Sequence, residues 1–370
     1  MNTCFQEVLM KKIKILSILF LFMYGCESAL NTGSGASTPL YNTDETLRQI
    51  AEEKGIYVGA AVADTPLFSK TEPYSNIFVK EFNMMVCENE MKFEYLQTSS
   101  NNFYWTTADR MVNVALANNM KIRGHTLLWH SQSGWASNVN NPAALSNILS
   151  NHIFTVMRRY SNKINYWDVV NEAIEVNNSL SNSSNFYDHL RRSFWWTNLG
   201  SNYVEYAFEL ARAADPTAKL FYNDYGIEAY NTKALYTYLL VSNLKAKGLI
   251  DGVGFQMHID TSFKPFQNGF ASNLQRFSDL GLELHITEMD VRITIPANYT
   301  YYSQQANTYK EVVSTALSNS NVTAIVFWGF TDKYSWIPDF MNGWGDALLF
   351  DKYYQRKQSY NAVMEVLKNK

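Results

Sequence analysis

Residues 164–173 read INYWDVVNEA, a near-continuous apolar run that closes on two polar residues, Asn171 and Glu172. The length suits a strand, and the lack of polar alternation suits one covered on both faces, as in parallel sheets. Seven further stretches repeat the form, at 56–63, 83–88, 121–128, 219–223, 252–258, 282–288 and 323–329. Longer amphipathic segments separate them, clearest at 142–160, 201–213, 231–247 and 303–319. Asn141-Pro142 supplies a helix start with proline at the first position, and Gly248 a helix stop. Strands alternating with helices predict an α/β fold of eight βα units, which closes into a single (β/α)8 TIM barrel. The rival, an open doubly wound sheet, lacks a glycine-rich phosphate loop after its first strand.

Outward from this frame, composition fits one catalytic-sized domain over residues 43–370. The chain has 370 residues, 46% hydrophobic and 18% charged, with a net charge of -3. That balance gives no electrostatic case for nucleic acid. Aromatic residues reach 15%, with 24 Tyr, 22 Phe and 9 Trp. Such rings fill cores or stack on the flat apolar faces of sugars, and composition does not choose between the two.

The amino terminus reads as an address. Lys11, Lys12 and Lys14 precede a short apolar run, Ile15 to Met23, that ends Met23-Tyr24-Gly25-Cys26. The run is short for a membrane span and has signal-peptide flanks. Residues 1–26 are therefore expected to be a signal segment of the lipoprotein type with Cys26 lipidated, ordinary secretion being the alternative. Residues 27–42, rich in Gly, Ser and Thr, read as a flexible tether. The expected location is the cell surface or periplasm, with a lipid anchor the sole membrane contact. Of the three cysteines, Cys4 and Cys26 fall in the leader, so Cys87 has no intrachain partner and no disulfide is expected. No CxxC pair offers a metal site, and neither metal nor organic cofactor is expected. Nothing calls for a partner chain, and a monomer is expected.

Barrels of this kind carry their chemistry at the carboxyl ends of the strands. Polar residues gather there: Glu88-Asn89-Glu90 and Lys92 after the second strand, His125 and Trp129-His130 on the third, and Asn171-Glu172 on the fourth. The later strands add Asn223-Asp224-Tyr225, Gln256-Met257-His258, Glu288-Met289-Asp290 and Trp328, with Trp336 in the loop beyond. One such residue has a bland explanation as a helix cap. The whole set does not, because a buried charge is costly unless paired. Strands four and seven stand opposite in an eight-stranded barrel, so Glu172 and Glu288 are placed to face across its mouth. Two carboxyl groups about 5–5.5 Å apart there are the equipment of a retaining glycosidase. Strand alternation adds two expectations. Asp290 orients His258, which holds Glu288 ionised; Asp168 points inward one layer below Glu172 and pairs with His125. His152, His189 and His285 read as structural, His285 because its parity is opposite to that of Glu288. His130 stays open.

The quoted motifs resemble glycoside hydrolase family 10, the xylanase family: CENEMKFE (87–94), RGHTLLWH (123–130), YWDVVNEA (166–173), YNDYGIE (222–228), VGFQMHID (253–260), LHITEMDVR (284–292), VFWGFTDKYSW (326–336) and LLFDKYYQ (348–355). The resemblance spans about residues 45–368. It implies Glu172 as acid/base, Glu288 as nucleophile, and Asn171 bonded to the 2-hydroxyl of the reacting sugar. It also implies Glu88, Asn89 and Lys92 on the next sugar, with His125, Trp129, Gln256, His258, Trp328 and Trp336 around the reacting one. Tyr225 would stack on the leaving-group side. The implied activity is endo-1,4-β-xylanase, on xylan and xylo-oligosaccharides. Met257, Phe93, Cys87 and Gln358 depart from the family pattern without touching a catalytic group. The loop 338–347 has no assigned role.

Three rivals remain. A lipoprotein that captures glycans without cutting them needs neither carboxylate. A metal-dependent hydrolase needs a His-x-His pair at an early strand end, which the sequence lacks. A β-1,4-glucanase or mixed-specificity enzyme differs only in the clearance around the missing hydroxymethyl group of xylose.

Overall fold

The computed structural model describes residues 45–131, 134–180 and 183–370. The leader with Cys4 and Cys26, and the tether, lie outside these residues. Eight parallel strands form a closed ring: β1 (Tyr57–Val62), β2 (Met84–Cys87), β3 (Lys121–Trp129), β4 (Tyr166–Asn171), β5 (Lys219–Asp224), β6 (Gly252–Phe255), β7 (Glu283–Thr294) and β8 (Val322–Phe327). Each pairs with its sequence neighbours, and β8 closes on β1 through Tyr57 opposite Ala324. The eight expected strands are all present, and helices cover the ring outside.

Caps fix where those helices begin. Thr46 and Gln49 form a capping box on α1 (Leu47–Glu53). Asn141 accepts from the Ala144 amide at the head of Pro142–Arg159, Asn231 from Ala234 at the head of Thr232–Ala246, and Asn298 from Tyr301 at the head of Tyr299–Leu317. The helix Tyr299–Leu317 starts four residues before the expected 303 because Asn298, not the apolar pattern, sets its first turn. Gly248 sits at φ 69, the left-handed geometry of a helix stop.

The inside of the ring has an apolar floor of Ala61, Met84, Val86, Tyr166, Phe221, Ala324 and Val326. Gly124 is required beside it: a Cβ there would meet the Trp167 ring at 2.2 Å. A buried polar layer lies among these residues. Asp168 accepts from Arg123 and, at 3.0 Å, from His125, as expected for His125. Arg123 was not anticipated; it sits two residues before His125 on the same face and also donates to His285 Nδ1 at 2.6 Å. That contact corrects the parity argument for His285. The pairing of β7 with β8 shifts register between Ile286 and Met289, so His285 and Glu288 both turn inward despite opposite parity. His285 is nonetheless structural. Burial, helped by Arg123, holds it down to about 4, so the neutral ring bridges Arg123 to Glu283 and Thr323.

Cys87 is buried and free, and burial pushes its thiol well up. His152 packs on Phe93, with ring centres 4.2 Å apart, and bonds Gln97. His189 stacks on Tyr236 at 3.5 Å. Among the described residues no helix is long and apolar enough to cross a membrane, and no group of His, Cys, Asp or Glu is arranged to hold a metal ion.

Candidate active site

At the carboxyl end of the barrel a cavity of about 720 Å³ opens. Every residue expected to touch substrate lines it: Glu88, Asn89, Lys92, His125, Trp129, Asn171, Glu172, Tyr225, Gln256, His258, Glu288, Trp328 and Trp336. Asp168 and Asp290 lie behind this wall, fully buried.

The two glutamates enter the cavity differently. Glu288 is buried, with Oε1 accepting from Asn223 Nδ2 at 2.7 Å and Oε2 facing His258 Nε2 at 3.1 Å. Burial alone raises a carboxyl, yet His258, His125 and Asn223 together hold Glu288 below its usual range. His258 Nδ1 lies 2.8 Å from Asp290, which also accepts from Trp336 Nε1 at 2.9 Å. Burial opposes the imidazolium, but Asp290 and Glu288 lift His258 to about 10. At neutral pH this is a partly buried cation against an ionised carboxylate.

Glu172 is more open. Trp129 Nε1 and Gln256 Nε2 each donate to it at 2.9 Å, and Asn171 Nδ2 lies at 3.3 Å. Its backbone stands at φ 58, a costly position for a glutamate. The turn is held by Glu172 N–H donating to Asn223 O and by Tyr222 hydroxyl accepting from the amides of Ala173 and Ile174. His130, left open above, has Nδ1 3.5 Å from Glu172, and burial together with the Arg191 charge pulls it down to about 4.

Asn223, named above only for its place at a strand end, was given no role by the sequence reading. It bonds both Asn171 and Glu288, and Thr287 donates to its oxygen. The available signals were its strand-end position and Gly254 on the neighbouring strand, where a Cβ would stand 2.2 Å from Asn223 Oδ1. Glu228 was missed too. It lines the cavity and accepts from the Met257 amide at 2.9 Å, holding that residue at φ 64.

Toward the other end, Lys92 donates to Asn89 at 2.8 Å and sits 5.2 and 5.8 Å from the ring centres of Trp129 and Trp328. Burial lowers Lys92 against four nearby carboxylates, and burial raises Glu88 to about 7 despite Lys92. From loop 338–347, Phe340 and Met341 reach the cavity wall, and Phe340 packs on Trp336 at 5.5 Å.

A (β/α)8 barrel with two glutamates opening on one aromatic cleft, one pinned by a cation and one on a strained turn, is a glycoside hydrolase scaffold. The sequence profile described as "Glycosyl hydrolase family 10" matches residues 46–366, and the chain belongs to that family. It is 38% identical to Endo-1,4-beta-xylanase B of Thermotoga neapolitana, over 97% of this chain and 99% of that one. It superposes on native xylanase 10B of Thermotoga maritima with a TM-score of 0.82 at 40% identity, covering 88% and 98% of the two chains. The same score and coverage hold for xylanase 10B of Thermotoga petrophila in complex with xylobiose.

Proposed function

We propose that the protein is a retaining endo-1,4-β-xylanase that cuts internal bonds of xylan by double displacement. The observation that carries it is the contrast between two glutamates in one cavity, Glu288 held ionised by His258 and Asn223, and Glu172 bonded by the neutral donors Trp129 and Gln256. The Thermotoga relatives named above act as xylanases by name, in keeping with this reading.

In the first step Glu288 attacks the anomeric carbon while Glu172 gives its proton to the departing glycosidic oxygen. A glycosyl-enzyme ester forms and the leaving chain departs as an alcohol. Glu172, now a base, takes a proton from water, which attacks the same carbon and frees Glu288. Asn171, beside both glutamates, bonds the 2-hydroxyl, an interaction that strengthens as the ring becomes oxocarbenium-like. Glu88, Asn89 and Lys92 hold the sugar beyond the cut, with Trp328 and Trp336 closing over the reacting one. The enzyme works as an exported monomer, tethered through residues 27–42 to lipid on Cys26.

Product profiles on xylan, mixed-linkage β-glucan and carboxymethylcellulose test the activity. Short xylo-oligosaccharides from xylan, with little from the glucans, are expected. Equal cleavage of all three moves the reading to a mixed-specificity enzyme, and binding without cleavage to a capture protein. Mass spectrometry of the membrane-bound form tests the anchor: an amino terminus other than acylated Cys26 removes it.

A further inference from the structure

We infer that Arg191 is a positioning residue that locks the acid/base and the leaving-group platform into one register, an inference that rests on the roles proposed for Glu172 and Tyr225. Arg191 belongs to no motif singled out in the sequence. It lies on the returning arm of the long loop after β4. There its N–H donates to Ala173 O at 2.7 Å, Glu175 N–H donates to His189 O at 2.8 Å, and Ile174 bridges Leu190 in antiparallel fashion. The arm therefore runs alongside the residues that directly follow Glu172.

From that arm the guanidinium divides its donors three ways. Nε donates to the Glu172 carbonyl at 3.0 Å, Nη1 to Glu175 Oε1 at 3.2 Å, and Nη2 to the Tyr225 hydroxyl at 3.1 Å. The first contact matters because Glu172 stands at φ 58, which turns its carbonyl toward the loop, where Arg191 supplies a donor. The third matters because Tyr225 is 41% exposed and lines the cavity, so packing alone leaves its ring free to swing. Its other restraint is Lys233, whose ammonium lies 3.5 Å from the ring centre and is fixed by Asp224 at 2.7 Å.

Glu172 must deliver its proton to an oxygen of the very sugar that stacks on Tyr225. Such constellations tolerate errors of only about 0.5 Å. A flat, rigid fork touching both the backbone of one and the hydroxyl of the other sets their separation. An ammonium on a flexible stem cannot reproduce this. The consequence is selective: cleavage that needs a proton delivered to a stacked leaving sugar depends on Arg191, whereas departure of an acidic phenol does not.

The test compares wild type, Arg191→Met, Arg191→Lys, Tyr225→Phe and the Arg191→Met/Tyr225→Phe double variant on xylotetraose and on 2,4-dinitrophenyl β-xylobioside. Loss of a charge-assisted hydrogen bond predicts that Arg191→Met falls roughly tenfold or more in kcat/KM on xylotetraose, with KM raised and kcat lowered. On the activated aryl glycoside the fall is much smaller. Arg191→Lys does not restore xylotetraose cleavage, and Tyr225→Phe adds little loss to Arg191→Met. Equal losses on both substrates, full rescue by lysine, or additive losses in the double variant would each overturn the inference. A wild-type enzyme that cuts neither substrate instead removes the proposed function, and the inference with it.

Discussion

Replacing Asp290 by Asn removes one negative charge and almost no volume, and it probes the nucleophile through an intermediary. Asp290 lies 2.8 Å from His258 Nδ1, and His258 Nε2 lies 3.1 Å from Glu288. Burial depresses the imidazole, while Asp290 and Glu288 lift it to about 10. Without Asp290 only Glu288 still opposes burial, and His258 is expected to be neutral across more of the working pH range. Glu288 then exchanges a charge-assisted hydrogen bond for a neutral one, a loss of about 1–2 kcal/mol. At 1.36 kcal/mol per pH unit, this moves Glu288 up by about one unit. The acid limb of kcat/KM on an aryl β-xylobioside is therefore expected about one pH unit higher in the variant. Stability follows the same coupling. His258 lies above its unfolded value of 6.5, so its contribution is complete below that pH and fades as pH rises through about 10. Urea unfolding should show wild type and variant far apart near pH 6 and converging above pH 10. An unmoved acid limb in a folded variant, or a stability gap that widens with pH, refutes the reasoning.

Glu288→Ala should abolish turnover of every glycan and of activated aryl glycosides, whereas Glu172→Ala should retain the first step with a dinitrophenol leaving group, seen as a burst in stopped-flow absorbance; equal loss in both variants reverses the roles. Arg123→Met leaves the buried Asp168 with His125 as its remaining side-chain partner, and is expected to cost about 3–5 kcal/mol in urea unfolding; a change within error would mean that the pair does not bear on stability. Glu88, raised to about 7 by burial, protonates as pH falls through neutrality. The KM for xylotriose should rise below pH 7 in wild type and stay flat in Glu88→Gln, a contrast read from pH-resolved kinetics.

Much of this protein is legible along the chain. The apolar runs mark eight strands, and the polar residues at their ends mark the mouth, because strand periodicity and the cost of burying charge are local rules that leave a local trace. Asp168 with His125, and Asp290 with His258 and Glu288, were readable for the same reason: each involves neighbouring strands in an expected register. Where register slips, the reading fails. The shift between Ile286 and Met289 turns both His285 and Glu288 inward, and no periodicity within 282–288 reveals it.

The remainder belongs to the tertiary structure. Asn223 reaches Glu288 because Gly254, on another strand, leaves space for its carboxamide. Arg191 meets Glu172 and Tyr225 because a long loop folds back beside the strand it left. Glu172 is held at φ 58 by Asn223, Tyr222 and Arg191, none adjacent to it in sequence. The chain by itself determined the barrel, the family and the two carboxylates, since these follow from pattern and residue type. Only the closed ring decided how the carboxylates are held, because the groups that hold them come from distant segments and meet only after every strand has found its place.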